Sequence, residues 1–262
     1  MPRQHGFSLT ETLLAVGTLA VGLVFIAGTF MAGIYFTTVS TERTIAAVVA
    51  DEAFAKIQLY GFDPNDSRVS ADGFVPYEKV TTDMPVEEFL YPSVEDTNDN
   101  DSQYSWAALC RRVSPESRLV QVSVFVSRRA GTNTRYQVRP DDPDSLDLQP
   151  SKLPRPVRMT VRQNTSSADT DEVTIIDAVS SDDIDENSFI NDGSILVDDE
   201  TGQIYRVLER YAADPADTIK LDRPWDGPDI TSAEGGDVWV ISPAAEGGRS
   251  PGIAVYERVL RF

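Results

Sequence analysis

Glu11 stands one helical turn inside the start of an apolar stretch that carries no charge from Thr12 to Thr41. An ionised carboxylate in hydrocarbon costs ~2.5–3.5 kcal/mol on insertion scales, so an acid placed there asks for a cationic partner. The residues ahead of it suggest one. Met1 to Gly6 form a short polar leader holding Arg3 and His5, followed by Phe7, Ser8, Leu9 and Thr10. A cut after Gly6 would free a cationic amine on Phe7, one helical turn from Glu11. A helix cannot easily fold its own terminus back onto that side chain. A neighbouring helix, displaced along its axis, can present the amine. The pattern reads as a subunit that is processed and then stacked.

Gly6-Phe7-Ser8-Leu9-Thr10-Glu11 resembles the type III signal of type IV pilins and type II secretion pseudopilins. The resemblance implies that a prepilin peptidase cuts between Gly6 and Phe7 and methylates the new terminus on Phe7. It also makes Glu11 the acid used in assembly. Thr10 departs from the aliphatic residue usual before that Glu. The run Leu13-Leu14-Ala15-Val16, the pair Gly22-Leu23 and the Ala-rich amphipathic stretch after them are most similar to the minor pilin V and pseudopilin I subgroup. The resemblance covers about residues 1–62 and is architectural beyond residue 100. The partners it implies are the prepilin peptidase, other pilins or pseudopilins through the N-terminal helix, and an inner-membrane assembly platform. It places the chain in the inner membrane by a single span, with the globular part in the periplasm or, after assembly, on the cell surface. An ordinary secretory signal needs only a ~7–15-residue apolar region and has no place for a Glu at its front.

Composition excludes other classes. Lys and Arg number 23 against 42 Asp and Glu, and loss of Arg3 with the leader leaves 22 against 42. So acidic a surface repels DNA phosphates and anionic lipid heads, so no direct nucleic-acid partner is expected. Cys110 is the only cysteine, so no intrachain disulfide can form, and its alternating strand context suits a small buried residue. His5 is the only histidine and leaves with the leader. A mature chain without His carries no Ser-His-Asp or Cys-His pair and no His-ligated zinc, so neither an enzyme nor a cofactor is expected.

These residues need elements to position them. Phe7 to about Tyr60 reads as one long helix, apolar on all faces at first and then amphipathic, with a stripe of Ile45, Val49, Ala53, Ile57 and Tyr60. Gly61 is placed to cap it. At 1.5 Å per residue such a helix would be ~80 Å long, roughly twice a bilayer, so its second half must lie outside the membrane. Gly17, Gly22, Gly28 and Gly33 interrupt the apolar half; local melting and close helix approach explain them equally well. Tyr104 to Cys110 and Val120 to Val126 alternate across the turn Ser114-Pro115-Glu116-Ser117, as an antiparallel hairpin with one apolar face for the helical stripe. A Pro- and Asp-rich loop follows from Arg139 to Pro156, and Val157, Met159 and Val161 read as an edge strand. From Val173 onward, short strands between Gly, Pro and Asp turns point to a small antiparallel sheet or barrel, with a hairpin at Ile195 to Val207. The fold class expected is α+β: a long N-terminal helix on an antiparallel β-sheet headgroup, with an additional C-terminal β module. The divisions are leader 1–6, helix 7–61 with its first ~30 residues transmembrane, headgroup with acidic connector 62–163, and β module 164–262.

Two further clusters invite ligands. The run Glu95 to Asp101 lacks the EF-hand Gly and terminal Glu, which leaves Asp96, Asp99 and Asp101 as weak candidates for an irregular calcium site against a solvated acidic loop. Trp225 and Trp239, with Tyr205 and Tyr256, could form an aromatic platform, against which stands ordinary core packing. Asp182 to Glu186 is read as a solvated acidic loop. The expected function is that of a minor pilin or pseudopilin. The alternative is a pilin-anchored binding or adhesion module displaying the C-terminal β region.

Overall fold

The long apolar pattern is realised as helix α1, Leu9–Tyr60. The computed structural model describes residues 8–63, 66–81, 84–93, 102–129, 131, 133–138, 149–163, 170–176, 186–211, 217–226, 235–244 and 250–262. The chain divides into two units, residues 1–45 and 46–262. In the first, the Ser8 carbonyl accepts from the backbone N–H groups of Glu11 (3.0 Å) and Thr12 (3.2 Å), which closes the opening turn. The large side chains from Leu13 to Phe36 are exposed on the single chain, and a segment with no polar face calls for an apolar surrounding to cover it.

The second unit begins on the helical stripe. Ala46, Val49, Ala50, Ala53, Phe54 and Ile57 are buried, while Ile45 and Tyr60 at the ends of the expected stripe are only partly so. The helix stops where expected. Gly61 has φ 65°, and its N–H donates to the Ile57 carbonyl at 2.9 Å, a left-handed cap that a Cβ would strain.

The first sheet holds β1 (Val75–Pro76), β2 (Leu90–Tyr91), β3 (Tyr104–Arg112), β4 (Leu119–Arg128) and β13 (Gly252–Arg261). A short helix α2 (Tyr77–Val80) follows β1. Strands β1 and β2 both pair with β3, and the order continues through β4 to β13, all antiparallel. Register puts Cys110, Val122 and Arg258 on one face and Leu109, Ser123 and Glu257 on the other, because directly opposed residues point the same way. The first face meets α1: Arg258 reaches Asp51 and lies over the Phe54 ring at 4.6 Å. Lys56 adds a second tie, with Glu52 and Glu88 each at 2.8 Å.

Between β4 and β13 come β5 (Tyr136–Val138) and β6 (Gln149–Ser151), which pair with each other, and then β7 (Pro156–Gln163), β8 (Glu172–Ile176), β9 (Ile195–Asp198), β10 (Ile204–Arg210), β11 (Thr218–Leu221) and β12 (Gly236–Ile241). These last six close into an antiparallel barrel in the order β10-β11-β8-β7-β12-β9. Val157, Met159, Val161, Leu196, Tyr205 and Val240 are among the residues that fill it. The fold is therefore α+β, a long helix followed by antiparallel sheet and barrel.

Three expectations are corrected. Strand β7 is an interior barrel strand between β8 and β12 and not an edge, because Val157, Met159 and Val161 all point into the barrel core. The strand expected to end the C-terminal module, β13, instead completes the first sheet beside β4, and the expected division at 163/164 falls between two barrel strands, β7 and β8. Residues 149–151 of the expected loop form β6. The hairpin of β3 and β4 is also buried on both faces, from Ser105 to Cys110 and from Val120 to Ser127, because the barrel covers the side that the alternation would leave to solvent.

Candidate assembly segment and the sheet–barrel junction

Gly6 and Phe7 lie outside the described residues, as do the calcium candidates Asp96, Asp99 and Asp101 and the acids Asp182 to Asp185. Glu11 lies in the first turn of α1, exposed, where the unpaired N–H groups and the helix dipole favour a negative charge. No described residue forms an ion pair with it.

The apolar half of α1 hides its own polar groups. The hydroxyls of Thr12, Thr18 and Thr29 donate to carbonyls three residues back, and those of Thr37, Thr38, Thr41 and Thr44 to carbonyls four residues back. Each hydroxyl so bonded escapes the cost of an unmet donor in an apolar medium. α1 is the one helix among the described residues long and apolar enough to cross a membrane. Beyond the helix's own backbone, no described residue lies within 4 Å of where a Cβ on Gly17, Gly22, Gly28 or Gly33 would sit, so no contact with a described residue requires them.

Asp199 binds barrel to sheet. It opens the turn after β9, and only 6% of it is exposed. Its Oδ1 accepts from the Phe74 backbone N–H at 2.8 Å and from Trp239 Nε1–H at 2.6 Å. Its Oδ2 lies 3.4 Å from the Arg158 guanidinium. A Cβ on Gly73 would come within 2.8 Å of Oδ2, so the approach depends on glycine. Around it Phe74, Leu109 and Phe125 pack on Val197, Trp239 and Ile241. Arg111 on β3 crosses the same seam: it donates to Gln121 Oε1 at 2.7 Å and to the Thr201 carbonyl at 2.6 Å, and lies over the Phe74 ring at 5.0 Å. Gln121 in turn donates to Glu257 at 2.7 Å. Gly202 (φ 75°) closes the turn in contact with Gln121 and Phe74.

Asp198 is wholly buried beside this pair. Its Oδ1 accepts from the backbone N–H and the hydroxyl of Thr201, and its Oδ2 has no hydrogen-bond partner among the described residues. Burial pushes its carboxyl above the ordinary range, the bonds from Thr201 and Glu200 oppose that, and the Asp199 charge adds to it.

The four aromatic residues form no common platform: Tyr256 lies partly buried on the α1 face of the first sheet, opposite Val124. Trp239 is a junction residue, and Trp225 stacks on buried Tyr205 with centroids 4.8 Å apart, against the barrel core. Cys110 is buried on the α1 face of the sheet, and that burial pushes its thiol far up. Among the described residues no cluster of His, Cys, Asp or Glu could hold a metal ion. Sequence reasoning missed Asp199, Arg111 and the threonine back-bonding. A Thr-rich apolar helix is a readable signal for the last, whereas Asp199 looks like any turn residue. No family profile, curated protein or solved structure matches the chain.

Proposed function

We propose that the chain is a minor pilin or pseudopilin, a structural subunit of a type IV pilus or type II secretion filament. On this reading a prepilin peptidase cuts between Gly6 and Phe7 and methylates Phe7. The subunit waits in the inner membrane on α1, with its globular part in the periplasm. It then joins other subunits through that helix at the assembly platform. The observation that carries the reading is the sequence from Gly6 to Glu11 running into the first turn of a helix of 52 residues whose first part is apolar and exposed. Threonine hydroxyls satisfied within the helix support a lipid or filament-core setting.

Glu11 then pairs with the methylated amine of a neighbouring subunit. Two charges 4 Å apart attract by ~4 kcal/mol at an effective dielectric of 20, before desolvation is subtracted. Glu11→Ala should insert as well as wild type, since it removes a charge from an apolar segment. It should fail to cross-link to neighbouring subunits, with Glu11→Asp intermediate. A membrane-fraction blot run beside the cross-linking separates the two steps, and wild-type cross-linking by Glu11→Ala would leave α1 a simple anchor.

A second reading, a pilin-anchored binding or adhesion module, is favoured by one feature: the whole barrel is inserted between two neighbouring strands, β4 and β13. A densely repeating main subunit gains nothing from such an addition, whereas a display subunit needs a body held firmly on its headgroup.

A further inference from the structure

We propose that the docking of the barrel on the first sheet is proton-sensitive, tightening in mild acid, with the Asp198 carboxyl as the sensing group. The geometry carries this. Asp198 is 0% exposed, one of its oxygens has no hydrogen-bond partner among the described residues, and it ends β9 directly before the turn by which the barrel grips the sheet. That turn is held from the sheet side by Arg111, through the carbonyl of Thr201, the residue that also binds Asp198.

The charged and titratable groups facing Asp198 come from each packed element. Asp199 and Glu200 lie on its own turn, Arg111 on β3 and Tyr205 on β10, while Glu257 on β13 faces Arg111. Arg158 on β7 and Asp237 on β12 stand one step away, around Asp199. Arg111 is the cation bonded directly into the turn, and it also serves Gln121, while the acids crowd the same seam. An ionised Asp198 is therefore buried beside the Asp199 charge, with one oxygen that no described residue hydrogen-bonds and Arg111 as the nearby cation. A proton on it removes the buried charge and its repulsion from Asp199.

The sign follows from linkage. A carboxyl held above its unfolded value binds its proton more tightly in the folded state. Its ionisation weakens folding above the folded pKa, and that loss is recovered as the pH falls through it. Each unit of upward shift is worth ~tenfold in the folding equilibrium.

The test compares the full chain in detergent micelles with Asp198→Asn by equilibrium unfolding from pH 8 to pH 4. Wild type should gain on the variant steadily as the pH falls, whatever constant offset the amide introduces. A gap that does not move with pH, or that moves the other way, overturns the proposal. Wild-type protein carrying carbon-13 at its Asp side-chain carboxyls gives a second reading that needs no variant. One Asp carboxyl should titrate above the ordinary carboxylate range, together with amide shifts at Thr201 and Trp239. If every Asp titrates in the ordinary range, the proposal fails.

Discussion

Replacing Asp199 by Ala removes a single acceptor that two buried donors share. The Phe74 N–H and Trp239 Nε1–H both end on Oδ1, and both residues are only 7% exposed, so water cannot easily replace the lost oxygen. An orphaned buried donor costs ~1–3 kcal/mol, which puts the pair at roughly 2–6 kcal/mol. The Arg158 contact adds little, because that side chain is 51% exposed and its ion pair is screened. The lost carboxylate also loosens the packing of Trp239 on Leu109 and Phe125. Against a total stability of ~5–15 kcal/mol, the loss is large but survivable. Urea unfolding of the full chain in micelles, followed by tryptophan fluorescence, measures it. Asp199→Asn keeps one oxygen able to accept both bonds, so it should fall between Ala and wild type. Gly73→Ala attacks the same contact from the other side and should destabilise as well. If Asp199→Ala unfolds within ~0.5 kcal/mol of wild type, the ordinary scatter of surface changes, the junction is not what holds the barrel.

Other outcomes follow from the same geometry. Leu196→Ala, at a fully buried site in the barrel core, should cost ~2–5 kcal/mol in the same unfolding assay. Gly61→Ala forces a side chain into the left-handed region at the helix cap and should cost roughly 1–2 kcal/mol, with fraying of the last turn visible as faster amide exchange at Tyr60 and Gly61. Cys110 should resist alkylation in the folded protein, because burial pushes its thiol up and closes access to it. Labelling should be confined to the unfolded fraction and should rise with urea as unfolding does, and fast labelling of the folded protein would contradict this.

Much of the fold is legible where the chain acts locally. The change from all-round apolar to striped helix and its end at Gly61 follow from side-chain period and cap chemistry. So do the hairpins of β3 with β4 and of β9 with β10. What pattern alone hides is long-range pairing. Nothing in Gly252 to Arg261 says that it lies beside β4, since residues 129–251 intervene and any alternating strand could take that edge. The same limit explains β7: Val157, Met159 and Val161 suit an edge strand as well as a barrel wall. Phe125 looked like an outward residue among Gln121, Ser123 and Ser127, and is buried only because the barrel covers that face. The junction acids were hidden for a related reason. Asp198 and Asp199 read as turn formers until Phe74 and Trp239 are brought against one of them.

The central claim, that this chain is made to be cut and stacked, is met most directly by the intact mass of the protein from cells with an active prepilin peptidase. The account predicts loss of Met1–Gly6 and gain of one methyl group on Phe7, with Gly6→Val left uncut because a branched side chain crowds the cleavage site. A wild-type chain that keeps its first six residues in such cells contradicts it.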